Sequence, residues 1–486
     1  MPKLKVYADL TREKRNTLSK ESQRVVSKLD GGLTITTYVN ELEEDATRVQ
    51  PNTYKSDVAR YAQYTRFKPE IKLNYVYYYK LVPGGDYANY YKGLTEQQVF
   101  DTVNKIMEFN YKIHPYKDIA STIDLSAENY HMVTLIEREN GKKTFLRFFN
   151  DGLVFPEEKE ISAALKRLAE PLPVVGFVTG HNERTCNSEN DRGYSLFAND
   201  KSLRSSLINN GFDFETITLM APVPDNIDIL VIADARKPFN DTELKNYRDY
   251  LAKGGNLFIA GDPEKQAVMN SIGEPVGVSF MPGKLAHAKP NMMQDVIAMN
   301  AVNTTNWIGK PFENLKNSPA KVIMNGACGI KHDPSKGFNS LPLLVSDSSN
   351  VWSELETTDV VEDTAVFNPV AGEVKQPYTG ALALERKVNG KEQKVMVTGD
   401  ADWISNLEIV TARKNIPPAN FYFVELAFYW LSNYAVPIDT TRDEPIDNKI
   451  DVTQHSFALY SVLFKWGIPL LLLATGLFIW IRRKGR

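Results

Sequence analysis

The stretch FNDTELKNYRDYLAKGGNLFIAGDP, residues 239–263, predicts a helix that leads directly into a buried strand. Asn240 can cap the helix, and Glu243, three residues later, completes a capping box. Apolar side chains then recur at helical spacing on one face: Leu244, Tyr247 and Leu251. Gly254 and Gly255 end the helix, and a short apolar run follows them. A helix followed at once by such a run is typical of a parallel sheet.

Two apolar runs upstream extend this alternation. Residues 173–180 (PVVGFVTG) and 226–235 (NIDILVIADA) are typical of buried parallel strands. Helices are predicted over residues 160–170 (EISAALKRLAE) and 200–212 (DKSLRSSLINNGF), the second ending at Gly211. Strands that alternate with helices predict an α/β fold with a Rossmann-like, doubly wound parallel sheet.

Polar loops follow the predicted parallel strands. Ligands of doubly wound sheets bind beyond the carboxyl ends of the strands. These loops therefore define a candidate cleft for a ligand or partner, formed by Gly180, His181, Asn182, Glu183, Asp234, Asp262, Asp400 and Asp402. Asp400 and Asp402 can hold a cation, but two carboxylates are a weak signal. We expect Asp402 to cap the turn that begins at WISN instead.

His181 and Glu183, with Cys186 close by in sequence, raise the alternative of a Cys/His/Glu hydrolase. A nucleophile normally sits on a tight strand-to-helix turn such as GxCxG, whereas Cys186 lies in the polar loop RTCNSEND. We therefore expect no catalytic residue and no enzyme activity. His181 and Glu183 are expected to fix hydrogen bonds within their loop.

Charge and motif content argue against several classes of protein. The formal net charge of −3 provides no basic excess for binding nucleic acid. No GxxxxGK[ST] loop occurs, so any ATP-driven step belongs to another subunit. The histidines are scattered singly, and neither a metal nor a cofactor is expected. The two cysteines, Cys186 and Cys328, are compatible with one disulfide or with two free thiols.

The alternation also divides the chain. Residues 1–155 contain apolar strands, helices and a hairpin around ENG at 139–141, and predict a small thioredoxin-like α/β domain. This part has no CxxC, so redox chemistry is not expected. Residues 156–437 form the predicted Rossmann-like domain, with insertions around residues 264–377.

The chain ends with an apolar segment followed by a basic cluster, FKWGIPLLLLATGLFIWIRRKGR. Within residues 457–486 we predict a transmembrane helix, spanning about residues 459–481, with Lys465 reaching the headgroups. Residues 438–456 form an acidic juxtamembrane linker. The positive-inside rule places the basic tail in the cytoplasm and the bulk of the chain outside it, as a protein of the inner (cytoplasmic) membrane facing the periplasm.

Several stretches, taken in order, resemble the GldG family, the auxiliary component of ABC transport systems linked to gliding motility. They are DLTREKRNTLSKES, TGHNE, KPFNDTELKNYRDYLAKGGNLFIAGDP, ALALERK, KVMVTGDADWISN and FVELAFYWLSN. The TGHNE loop has Asn182 where the family usually has glycine. The resemblance covers nearly the whole chain, including the final helix with its basic tail.

The resemblance implies an α/β domain related to the glutamine-amidotransferase and intraflagellar-transport type, without a required nucleophile. It also implies partnership with an ABC-2 type permease and a separate ABC ATPase. It supplies no catalytic residues. Family members usually carry a membrane helix, or a fused permease, before the DLT opening. MPKLKVYADL contains no such span, so we expect a truncated start or a span supplied by a separate chain.

The leading hypothesis is a membrane-anchored, extracytoplasmic auxiliary subunit that binds a substrate, an envelope polymer or the permease, in gliding motility or cell-envelope export. A membrane-tethered hydrolase or amidotransferase-like enzyme is one alternative. A scaffold that binds envelope glycans is the other.

Overall fold

The computed structural model describes Asp9, Thr11, Trp307 and residues 14–289, 292–302, 309–347, 350–357, 359–360, 362–414, 416–442 and 452–484. The chain divides into two compact units. One unit is Leu18–Thr440, and the other combines Met1–Thr17 with Thr441–Arg486. Both are described separately below.

The first part of Leu18–Thr440 builds a five-stranded sheet. Its elements are α1 (Lys20–Ser27), β1 (Leu33–Asn40), α2 (Tyr54–Arg60), α3 (Ala62–Phe67), β2 (Ile71–Tyr79), α4 (Asp86–Tyr90), α5 (Glu96–Met107), β3 (His114–Pro115), α6 (Tyr116–Ile119), β4 (Val133–Arg138) and β5 (Lys143–Arg147). The strand order is β3-β2-β1-β4-β5. β1 and β2 are parallel, whereas β4 is antiparallel to both β1 and β5. The predicted hairpin around residues 139–141 is therefore confirmed as β4–β5.

A nine-stranded sheet and two small sheets follow. Their elements are α7 (Glu158–Ala169), β6 (Val174–Val178), α8 (Ser195–Ala198), β7 (Asp213–Ile217), β8 (Ile229–Ala233), α9 (Asp241–Ala252), β9 (Asn256–Ala260), α10 (Gln266–Gly273), β10 (Val278–Phe280), β11 (Lys284–His287), β12 (Val296–Ala301), α11 (Lys310–Asn317), β13 (Val322–Asn325), β14 (Ile330–His332), β15 (Asn339–Val345), β16 (Val351–Glu354), β17 (Thr379–Val388), β18 (Lys391–Thr398), α12 (Asn406–Val410) and α13 (Asn420–Leu431). The large sheet has the order β13-β12-β15-β17-β18-β9-β8-β6-β7. β18, β9, β8, β6 and β7 run parallel to one another, and from β18 through β17, β15 and β12 to β13 each strand is antiparallel to its neighbour. The mixed α/β class is thus confirmed.

The opening stretch folds as its sequence predicts. Asn240 Oδ1 accepts a hydrogen bond from Glu243 N at 3.0 Å, and Glu243 Oε2 accepts one from Asn240 N at 2.8 Å. Because both groups are satisfied, the capping box fixes the start of α9. At its end, Gly255 lies against the ring of Tyr250, where an added Cβ would come within 2.2 Å of the ring. Only glycine allows the chain to turn so closely into β9.

The prediction of a helix over residues 200–212 is wrong. Only a 3₁₀ turn, Leu207–Asn210, forms before Gly211. The side-chain amide of Asn209 donates to the carbonyl oxygens of Asp200, Lys201 and Leu203, and that of Asn210 donates to Arg204 and Ser206. These side chains satisfy carbonyl groups that a helix would otherwise use, so they compete with helix formation.

One hydrophobic core joins the two sheets within Leu18–Thr440. Leu33 and Ile35 of β1 belong to the same buried cluster as Ile161 of α7, Val175 of β6 and Phe258 of β9. α7 itself contacts both α1 and β5. The two predicted domains are therefore packed into one compact unit, and the boundary between residues 155 and 156 stays a prediction.

A buried carboxyl group follows β1 directly. Glu41 is 2 % exposed, and its Oε1 accepts a hydrogen bond from the Tyr111 hydroxyl at 2.8 Å. Burial raises the pKa of Glu41 from 4.5 to about 7. Because the folded pKa exceeds the unfolded pKa, the native state holds this proton more tightly. The contribution of Glu41 to the free energy of unfolding therefore falls as the pH rises from about 4.5 to about 7.

Replacing Glu41 by Gln is expected to stabilise the protein at pH 8 by about 3 kcal/mol, and to have little effect at pH 4.5. Gln keeps an acceptor for Tyr111 and removes the charge that burial disfavours. Urea unfolding of the full chain in detergent at the two pH values measures the difference. An equal effect at both pH values would contradict the assignment.

The C-terminal unit contains a continuous helix. α14 (Gln454–Val462) passes through a π-helical turn, Leu463–Gly467, into α15 (Ile468–Lys484). Pro469 explains the turn, because it has no N–H to donate to the carbonyl oxygen four residues earlier. Ile468 N donates instead to Leu463 O, five residues earlier. Of the predicted linker at 438–456, residues 443–451 lie outside the described residues.

The helix Ser456–Lys484 is long and apolar enough to cross a membrane, and its most apolar window has no buried residue. This agrees with the predicted span at residues 459–481. Lys484 Nζ lies over the ring of Trp480 at 4.7 Å, which places a cation beside an aromatic ring at the end of the helix.

Candidate functional site

The parallel strands bring the predicted loops to one edge of the large sheet. Residues 179–185 follow β6, Asp234 follows β8, Asp262 follows β9, and Asp400 follows β18. Two backbone hydrogen bonds tie the first two loops together: Arg184 N donates to Ala233 O at 3.0 Å, and Arg236 N donates to His181 O at 2.8 Å. The predicted grouping of these loops is therefore seen in the structure, while a ligand for them stays a prediction.

Asp234 is the centre of this edge. Its side chain is fully buried, and its backbone is left-handed, with φ of 52°. Arg184 Nε approaches Asp234 Oδ2 at 3.2 Å, and an Arg236 amino group approaches the same oxygen at 3.1 Å. Arg192 also donates to Oδ2. The Oδ2 oxygen of Asp234 thus contacts three guanidinium groups from two different loops.

Two further carboxylates bind the same arginines. Arg184 reaches Asp402 Oδ1 at 2.6 Å, and Arg236 lies 3.5 Å from Asp262 Oδ2. Burial and the nearby charge of Asp234 raise the pKa of Asp262. The site is therefore a charge-balanced network in which Arg184 is 2 % exposed and Arg192 is 46 % exposed.

Sequence reasoning identified the aspartates of this network and missed its arginines. The missed residues, Arg184, Arg192 and Arg236, lie in polar loops where arginine is common. A usable signal did exist: Asp234 comes directly after the fully apolar strand β8, and a charge buried there needs a partner. The candidate site is better defined by these arginines together with Asp234.

His181 is held in place on several sides. Its ring stacks on Phe239, with centroids 4.1 Å apart. Its Nδ1 lies 3.4 Å from Glu183 Oε1, and its Nε2 lies 3.2 Å from Glu243 Oε2. Glu183 Oε2 also accepts a hydrogen bond from His181 N at 2.6 Å. The contacts link the first loop to the start of α9, as expected for a structural role.

Two neighbours of His181 adopt left-handed backbone conformations. Gly180 has φ of 126° and Asn182 has φ of 62°. Asparagine is among the few residues besides glycine that accept this region readily. This explains how Asn182 replaces the glycine usual in the resembling family without breaking the loop.

Asp400 binds backbone groups. It is 2 % exposed; its Oδ1 accepts from Asp402 N at 2.6 Å, and its Oδ2 accepts from Asn325 N at 2.8 Å. Burial raises the pKa of Asp400 well above its usual range. Both oxygens of Asp400 thus accept backbone N–H groups. Asp402 turns to Arg184 instead of capping the turn Asp402–Ile404 with its side chain.

The two cysteines are separate buried thiols. Cys186 is 1 % exposed and Cys328 is fully buried, so the disulfide alternative is wrong. Burial raises the pKa of the Cys186 thiol to about 11. The pKa of the Cys328 thiol is raised for the same reason. Neither thiol has the lowered pKa that activates a nucleophilic cysteine.

Neither thiol is expected to react in the native protein. At pH 7.5, a pKa near 11 leaves the thiolate about a hundredfold scarcer than in an ordinary cysteine. Iodoacetamide treatment of the full chain, followed by mass spectrometry, should show two alkylated cysteines only after denaturation. Rapid labelling of Cys186 in the native state would revive the hydrolase alternative.

A comparison with models of known protein families shows the family to which this chain belongs. The model of the ABC-type uncharacterized transport system family matches residues 172–423, which is more than half of the chain. The chain belongs to this family. The match begins just before β6 and ends within α13, so it covers the nine-stranded sheet and the network around Asp234. The predicted relationship to ABC transporter auxiliary components is thereby confirmed.

Likeness to solved structures is weak. The mmIFT52 N-terminal domain has a TM-score of 0.37 and 11 % identity, covering 53 % of this chain and 97 % of that chain. A ThuA-like protein from Parabacteroides merdae ATCC 43184 has a TM-score of 0.28 and 8 % identity, covering 52 % and 99 %. At these scores neither structure supports a conclusion about fold or function. No curated protein matches the chain.

Proposed function

We propose that this chain is an extracytoplasmic auxiliary subunit of an ABC-2 type transporter, anchored in the inner membrane by its last helix. A separate permease and a separate ABC ATPase would complete the system. The observation that carries the proposal is the family match over the nine-stranded sheet, joined in one chain to a long apolar helix.

The orientation rests on charge. Arg482, Arg483 and Lys484 follow the apolar segment at once, whereas residues 438–451 are acidic on balance. Basic residues are retained on the cytoplasmic side of a membrane helix. The large folded unit would then lie outside the cytoplasm, where it can meet an exported substrate, an envelope polymer or the permease.

The strand orders support a role in binding. Taken in chain order, the parallel strands β6, β7, β8, β9 and β18 have the spatial order 2-1-3-4-5, which is that of flavodoxin-like doubly wound sheets. Such sheets bind ligands where the order reverses, here between β6 and β8. Residues 179–185 and Asp234 lie at that point. We propose this edge as the contact site for the substrate or permease.

The N-terminal sheet supports a thioredoxin-like assignment. Its parallel β1–β2 pair and its antiparallel β4–β5 hairpin share one sheet, and α7 contacts β5. With no CxxC in the chain, we propose an interaction domain without redox chemistry. A link to gliding motility or envelope export rests on the family resemblance alone.

Co-purification tests the proposal. The full chain, carrying an affinity tag and solubilised in mild detergent, should bring down an ABC-2 type permease and an ABC ATPase in near-stoichiometric amounts. A variant truncated after residue 451 should be absent from the membrane fraction, and it should no longer bring down the permease or the ATPase. Recovery of the intact chain alone would contradict the proposal.

A further inference from the structure

The five-stranded sheet ends in a strand whose outer edge is open. The strand order β3-β2-β1-β4-β5 places β5 (Lys143–Arg147) at one end of the sheet, beside β4. An edge strand presents a row of backbone N–H and C=O groups that can pair with another strand. The outer edge of β5 is therefore a candidate for pairing with a further chain segment.

The β4–β5 hairpin determines which backbone groups of β5 point towards β4. Arg138 N donates to Lys142 O at 2.9 Å, so these two residues form a hydrogen-bonded pair at the turn. Hydrogen-bonded and non-hydrogen-bonded pairs alternate along an antiparallel ladder. The next hydrogen-bonded residues of β5 are therefore Thr144 and Leu146, which lie opposite Ile136 and Thr134 of β4.

The remaining residues of β5 direct their backbone groups outward. These residues are Lys143, Phe145 and Arg147. Among the described residues, no backbone group outside β4 hydrogen bonds to them. Their N–H and C=O groups repeat every second residue, as do those of any extended polypeptide. A second strand can pair with all three residues, whereas a glycan or a small molecule lacks the matching repeat.

A cavity lies beside this edge. Its volume is about 210 Å³, and it is lined by residues 144–147 of β5, by α7 and by the segment that precedes β7. α7 contributes Ala163 and Ala164, and the segment before β7 contributes Asn209 and Gly211. The small side chains of α7 and the glycine leave room for another backbone to come close. A single extended segment can therefore reach the open edge.

A second copy of β5 is a poor occupant of this edge. The antiparallel register that uses all three outward residues centres on Phe145, and it sets Lys143 of each copy opposite Arg147 of the other. Like charges directly opposite each other destabilise a strand pair. In each copy, α7 and the segment before β7 also stand beside the edge. A narrow segment of a different polypeptide meets neither obstacle.

We propose that the outer edge of β5 binds an extended segment of another polypeptide, which adds a sixth strand to this sheet. The backbone of that segment pairs with the outward groups of β5. Leu146, Ala163 and Ala164 belong to one hydrophobic cluster, so the side chains that the segment turns towards α7 are apolar. The site uses none of the residues around Asp234, and it requires no transporter.

The first test uses peptides selected from a random-peptide phage library on the purified full chain in detergent. A selected peptide should bind Lys143→Pro about tenfold more weakly or worse, because proline removes an outward N–H and its ring obstructs the incoming strand. Lys143→Ala is the matched control, which keeps the N–H and should bind within about threefold of the unchanged chain. Lys143 is exposed and begins an edge strand, where proline is tolerated.

Hydrogen exchange with residue resolution supplies a readout on the unchanged chain. Without peptide, the amides of Phe145 and Arg147 should exchange faster than those of Thr144 and Leu146, which bond to β4. With a selected peptide at about ten times its dissociation constant, exchange at Phe145 and Arg147 should slow by about tenfold.

Failure to enrich any peptide would overturn the inference, as would equal binding to Lys143→Pro and to the unchanged chain. Protection of Phe145 and Arg147 in the free, monomeric chain would do the same, because the edge would then be closed. A dimer seen by sedimentation that Lys143→Pro abolishes would assign the edge to a second copy, and the proposed occupant would be wrong.

Discussion

Replacing Asp234 by Asn is expected to lower the free energy of unfolding by about 3–5 kcal/mol. Asp234 is fully buried and binds three arginines, of which Arg184 is itself 2 % exposed. Asparagine accepts the left-handed backbone at this position and has nearly the same volume, so the substitution isolates the charge. Loss of that charge leaves Arg184 buried with Asp402 as its remaining carboxylate.

The control is an ion pair with the same chemistry at the surface. Asp225 and Lys253 are 93 % and 66 % exposed and lie 3.2 Å apart. Asp225→Asn is expected to change stability by less than about 1 kcal/mol. Both variants are compared by urea unfolding of the full chain in detergent. Equal, small effects would show that the network around Asp234 is not structurally required.

Replacing Phe428 by Ala is expected to cost about 3–5 kcal/mol of stability. Phe428 of α13 is fully buried, and its ring lies 5.5 Å from Phe258 of β9 and 5.8 Å from Phe212. A third ring, Phe197, lies 6.1 Å away. The smaller side chain would leave a cavity between α13 and the parallel strands, because three rings from separate elements cannot all close over it.

Leu407→Ala provides the comparison for Phe428→Ala. Leu407 lies on α12 and is 57 % exposed, so its truncation should change stability by about 0.5 kcal/mol or less. Thermal unfolding of the two variants measures the contrast. If Phe428→Ala lowers the free energy of unfolding by less than about 1 kcal/mol, the packing of α13 against the sheet does not contribute to stability as described.

Local signals explain which parts of the fold could be predicted. The box between Asn240 and Glu243 involves residues three apart, and it forms as its sequence indicates. Fully apolar runs became the central strands β8 and β9. β18 pairs in parallel with β9 although more than a hundred residues separate the two strands, and no local signal placed them side by side.

The parts of the fold that could not be predicted depend on contacts between residues far apart in the sequence. Nothing local indicated that β12, β13 and β15 extend the large sheet at its antiparallel edge. The partners of Asp234 come from loops up to fifty residues away. In place of the expected helix, the side chains of Asn209 and Asn210 form hydrogen bonds with backbone carbonyl groups. These hydrogen bonds depend on a turn that helical periodicity does not reveal.

The central proposal is that the folded unit lies outside the cytoplasm while the end of the last helix lies inside. Because both native thiols are buried, an engineered cysteine reports its own location without removing them. With the cytoplasmic membrane intact, a membrane-impermeant maleimide should label Lys253→Cys at once, and should label Lys484→Cys only after permeabilisation. Labelling of Lys484→Cys in sealed cells, with Lys253→Cys protected, would contradict the account.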